Sequence, residues 1–254
     1  MSLVERIRAA PLAAFFLLAY ALTWPLAALT PVNLGFALLS LFGPAAAAII
    51  VTRALAGKAG VSDLLARVGI WRVAPVWYLI VFLLPLAVSG VVSLVALATG
   101  RATSVHLTSL SPVGLVLFVL VLGEELGWRG FALPRMIERF GVGRASLLLG
   151  LLWGFWHLPT FFLKGAPQAD VPIVAYIAYT TALAGAFTWI WLHTRGSVLL
   201  ATIFHGAVNM LGFTATGLAP GDRMWLTAGA WALASILLLA LGQERRAPMP
   251  APIP

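Results

Sequence analysis

The chain is 254 residues long, 61% hydrophobic and only 9% charged, with a mean hydropathy of +1.00, which excludes a soluble domain with a polar surface and leaves a polytopic membrane protein. Its net charge of +8 arises without any soluble basic domain, so nucleic-acid binding is set aside and the basic residues read as insertion signals. Cysteine is absent, which removes disulfides and thiol chemistry and leaves histidine and carboxylate as the strong metal ligands.

Arg6 and Arg8 precede an apolar run from Pro11 to about Thr30, read as a retained first span because more spans follow directly. A second span runs from Leu34 to Val51 after the turn residues Pro31 and Asn33. The charged stretch Arg53 to Arg72 reads as a loop or short surface helix. A third span covers Val73 to Ala98, and a polar loop follows from Gly100 to Ser111. The fourth begins at Pro112, a favoured first helical position, and runs through Val121 into Glu124 and Glu125. Arg129 to Arg144 has interfacial composition. The fifth span takes Ala145 to Leu163, the sixth Val171 to Leu192, the seventh Ser197 to Thr216 and the eighth Arg223 to Leu241. The residues after Gly242, 243–254, read as a disordered Pro-rich tail.

The expectation is therefore an all-α, eight-helix transmembrane domain over 1–242 with a membrane-embedded polar cavity. Even-numbered loops and termini hold 13 of the 16 basic residues, so the positive-inside rule puts both termini in the cytoplasm. The Ala-, Arg- and Gly-rich composition points to a bacterial cytoplasmic membrane.

Only eight acidic residues occur, and two of them stand side by side in Gly123-Glu-Glu-Leu-Gly-Trp-Arg-Gly130. Ionisable groups at membrane depth mark function by default. On a helix Glu125 and Arg129 are four apart and pair on one face, a structural clamp. Glu124 points about 100° away and has no basic neighbour at the same spacing, so its partner must come from another helix. Two of the four histidines, His157 and His205, also fall inside spans. His205 and Asn209 share a stripe of the seventh helix, and Pro159 can break the fifth helix just after His157. A carboxylate, two imidazoles and an amide can hold a water, take its proton and stabilise an oxyanion, as amide hydrolysis requires. The same groups could line a proton or solute pathway. The alternative class is thus a non-enzymatic membrane protein, either a proton-coupled transporter or a pseudoprotease acting as a chaperone or immunity factor.

Three motifs, Glu124-Glu125-x-x-x-Arg129, Trp153-x-x-x-His157 and His205-x-x-x-Asn209, resemble those of the CPBP (CAAX protease and bacteriocin-processing) intramembrane proteases. The first and third match outright; the second has Trp153 where the family has Phe, with Phe155 two positions on. The resemblance covers about Pro112 to Thr216. It implies an intramembrane endopeptidase acting on a membrane-delivered peptide or protein, with Glu124 activating water, His157 as its partner, His205 and Asn209 holding the oxyanion, and Glu125 with Arg129 structural. Zinc could be held by Glu124, His157 and His205, leaving an open position. That would consume the one unclamped carboxylate, so a metal-independent glutamate mechanism is favoured. Convergence of these groups requires either that the fourth helix continue past Arg129 or that the fifth start later; the former is expected, burying that arginine against Glu125.

Overall fold

Backbone polar groups in lipid must be satisfied within the segment, so the long apolar runs fold as helices. The computed structural model describes residues 2–108 and 112–241, and the expected tail 243–254 lies outside them. Helix α1 (Leu3–Ala9) starts on a capping box in which Ser2 and Glu5 each accept the other's backbone N–H. Helices α2 (Pro11–Ala28) and α3 (Leu34–Ser40) follow, then α4 (Gly43–Ala66), which continues into a 3-10 turn to Gly69.

The expected second span thus differs in its bounds. It breaks near Leu41 and then runs far beyond Val51, absorbing the charged stretch. The change of direction falls at Gly57, whose φ of 67° only glycine adopts cheaply. Helix α5 (Val76–Ala98) matches the third span.

The fourth span runs in pieces: α6 (Pro112–Leu120), α7 (Leu122–Glu125), a π-helical stretch (Leu126–Ala132) and α8 (Leu133–Phe140). The helix therefore continues past Arg129, as expected. Helix α9 (Val142–Trp156) gives way to a 3-10 turn (Leu158–Phe162), where Pro159 denies the helix a backbone donor. Then come α10 (Ile173–His193), α11 (Val198–Met210) and α12 (Pro220–Leu241).

Among the described residues, six helical stretches are long and apolar enough to cross a membrane, and α11 is shorter. The chain is an all-α polytopic membrane protein. The remaining difference lies between α5 and α6 and after α11. Strand β1 (Ser104–Leu107) pairs antiparallel with β2 (Phe213–Thr216), so the seventh helix stops at Met210 and the outer loop is partly ordered. Alternating Thr214 and Thr216 suit an extended pleat better than a helix.

Outward-facing Leu79, Leu83, Leu94, Leu233 and Ile236 are each at least 58% exposed. In water such a surface would aggregate; against acyl chains it is the expected exterior. Polar groups turn inward instead. Ser146 on α9 donates to Thr188 on α10 at 2.9 Å, and Thr188 in turn donates to the Ala184 carbonyl.

Candidate functional site

The acidic motif is held by close backbone approach. A Cβ on Gly123 would sit 2.7 Å from the Leu41 carbonyl oxygen, and one on Gly127 would sit 2.5 Å from Pro44 Cβ. Small residues four apart therefore let the start of α4 pack directly on the α7–π junction. Winding from Leu126 to Ala132 is π-helical, a rare form that recurs at functional sites. Aromatic rings seal the opposite side: Trp128 meets Phe15 and Phe16 of α2 and Trp156 of α9.

Both glutamates are buried, Glu124 at 3% exposure and Glu125 at 0%, yet their partners differ. Arg129 Nη1 donates to Glu125 Oε1 at 2.8 Å, as the spacing predicted. His205 Nδ1 lies 2.7 Å from the same oxygen, a contact that spacing could not reveal because it joins α7 to α11. Glu125 is therefore more than an arginine clamp, since it also fixes which nitrogen of His205 is turned away. The Arg129 guanidinium lies over the rings of Phe187, 3.7 Å from the centroid, and Trp153, 4.6 Å away. Those π faces supply attraction where hydrogen-bond acceptors are few.

Glu124 finds its partner on another helix, as expected. Trp153 Nε1–H donates to Glu124 Oε2 at 2.9 Å. Among the described residues Glu124 makes no ion pair. His157 caps the end of α9, where its Nδ1 lies 2.9 Å from the Trp153 carbonyl; with that nitrogen as donor, Nε2 is left open. Its ring is flanked by Trp153, Trp156 and Tyr176, with centroids 5.8, 4.8 and 5.1 Å away. Trp153 also stands edge-on to His205, with centroids 5.3 Å apart. One indole thus touches Glu124, Arg129, His157 and His205.

The end of α9 is secured from α2. Tyr20 donates its hydroxyl proton to the Leu152 carbonyl at 2.7 Å, and Trp24 Nε1–H donates to the Trp156 carbonyl at 3.1 Å. Carbonyls at a helix end lack helical donors, and these side chains provide them. Asn209 is set apart from this cluster. It is exposed and lines a cavity of about 330 Å³ with Ser89, Thr108, Thr214 and Arg223, beside β2.

Among the described residues, no three His, Asp or Glu side chains gather into a group that could hold a metal ion.

Sequence reasoning missed the roles of Trp153, Phe187, Tyr20 and Trp24. For Trp153 a signal was present: tryptophan adds an N–H donor where the motif has phenylalanine, in a span facing an unpaired acid.

A family model described as Type II CAAX prenyl endopeptidase Rce1-like matches residues 106–211, the interval that carries Glu124, His157, His205 and Asn209. Over that interval the chain resembles CAAX prenyl endopeptidases. The chain is also similar to CAAX prenyl protease 2 of Methanococcus maripaludis, with 29% identity over 147 residues. The match covers 56% of this chain and 53% of that relative, so the chain spans about half the length of the curated protein it matches. The three motifs all lie within the matched interval, and the helices before Gly100 lie outside the family model.

Proposed function

We propose that this chain is an intramembrane endopeptidase that hydrolyses a peptide bond of a membrane-associated or membrane-delivered substrate. One observation carries the reading: of two adjacent buried carboxylates, Glu125 is engaged by Arg129 and His205, while among the described residues Glu124 meets only a neutral indole N–H. A carboxylate without a cationic partner in an apolar bundle is suited to take a proton from water. The relative's name supports the peptidase class, and prenylated substrates are a property of that name alone.

In the proposed reaction, water loses a proton to Glu124 as its oxygen bonds to the peptide carbonyl carbon, giving a tetrahedral oxyanion. Collapse breaks the C–N bond, and the leaving nitrogen takes the proton back through Glu124 with His157 beside it. His205 stabilises the oxyanion, and Asn209, exposed one turn farther along α11, is the second donor for a substrate that reaches that end of the helix. For His205 the group that meets the oxyanion is the ring nitrogen turned away from Glu125. No step needs a metal. Both termini lie in the cytoplasm, as the basic loops indicate.

The test is Glu124→Gln. Proteomic comparison of membranes carrying the intact and Glu124→Gln forms should reveal peptides cut only by the former. The variant should insert and melt like the intact protein. Full cleavage by Glu124→Gln would overturn the mechanism.

A further inference from the structure

The geometry points to Trp153 as the positioning residue of Glu124, its indole N–H holding one carboxylate oxygen so that the other is presented to water. This deepens the glutamate mechanism above and rests on it.

Three relationships carry the inference. Trp153 Nε1–H donates to Glu124 Oε2 at 2.9 Å across two helices, with both residues at most 3% exposed. A buried carboxylate has two oxygens and a rotatable end. One charge-assisted hydrogen bond from a rigid ring fixes that rotation, draws electron density from Oε2 and leaves Oε1 as the more basic oxygen toward water. The indole itself cannot turn: the Arg129 guanidinium lies over its ring, and the edges of His157, His205 and Phe187 abut it. Finally, the backbone carbonyl of the same residue engages His157 Nδ1. Trp153 thus orients Glu124 with its side chain and His157 with its main chain, and it couples the two groups that must act on one substrate carbonyl.

Phenylalanine, the residue the motif leads one to expect here, keeps the ring and the carbonyl contact but has no N–H. The chain therefore uses a donor that the motif does not require, and the N–H can be removed while the packing is kept.

The direct measurement needs no substrate. In detergent-solubilised protein, the indole N–H resonance lost in Trp153→Phe is that of Trp153. It should lie downfield in the intact protein and move upfield in Glu124→Gln, where a weaker acceptor replaces the carboxylate. With a peptide that the Glu124 comparison identifies, Trp153→Phe should lower kcat about 10- to 100-fold with KM unchanged. An isosteric analogue at position 153 with sulfur in place of the N–H should behave as Trp153→Phe does, with an unaltered melting temperature.

If Glu124→Gln is inactive but Trp153→Phe and the analogue keep full kcat, the inference falls and the mechanism stands. A resonance that ignores Glu124→Gln, or a loss that appears in KM or melting temperature instead, also sinks it. Should Glu124→Gln cleave normally, the mechanism falls first and the inference with it.

Discussion

Arg129 on the π-helical stretch and His205 on α11 meet at a single atom, Glu125 Oε1, from 2.8 and 2.7 Å respectively. The acid read from spacing as a local clamp therefore joins two motifs that are far apart in sequence. Removing its charge would strand a buried guanidinium and release an imidazole together.

Glu125→Gln should destabilise the protein by about 3 kcal/mol or more, the usual cost of leaving one member of a buried pair uncompensated. Arg129→Lys should also destabilise, because an ammonium cannot lie flat over both Trp153 and Phe187. Thermal melting in detergent measures both. Melting points equal to the intact protein's would refute the shared-oxygen account.

Gly127→Ala should cost about 1 to 3 kcal/mol, because its methyl group would meet Pro44 Cβ at 2.5 Å. Gly123→Ala, facing the Leu41 carbonyl at 2.7 Å, should behave alike. Gly143→Ala makes the control: nothing lies within 4 Å of its added Cβ. Yield of folded protein after mild heating should drop for the first two and hold for the control.

Tyr20→Phe and Trp24→Phe each remove one hydrogen bond to the end of α9, worth about 1 kcal/mol apiece. Hydrogen exchange should rise around residues 152–158 and stay constant in α12, which these side chains do not touch. Equal exchange in both regions would show that α2 does not secure the turn bearing His157.

Chelation bears on the metal-independent reading. Purified, active protein dialysed against a strong chelator should keep its full cleavage rate and contain less than one zinc per chain. Stoichiometric zinc whose removal stops cleavage would move Glu124 from base to ligand.

How much of this was legible beforehand follows from the range of the forces involved. Contacts within one helix were readable, because Glu125 and Arg129 are neighbours by helical geometry alone. Long apolar runs gave the membrane class and most helix positions, and Pro159 gave the break after His157. Contacts between helices were not readable: nothing in residue spacing says that α11 faces α7 or that the indole of α9 reaches Glu124. The β1–β2 pair was missed because Phe213–Thr216 is apolar enough to extend a helix on paper. Its extended form depends on a partner strand more than a hundred residues earlier. Continuation past Arg129 was inferred from depth, as one of two ways for the motifs to converge; the other, a later start of the fifth helix, is not what occurs, since α9 begins at Val142.

His205 sits on α11, which has 13 residues and is shorter than the six spanning stretches. At roughly 1.5 Å per residue it reaches about 20 Å, against a hydrocarbon slab of about 30 Å. Such a mismatch is relieved when lipid thins locally around the short segment. A dimple in the bilayer beside α11 would bring water and the scissile bond toward Glu124 along a shortened path, so membrane thickness itself becomes a variable of the reaction.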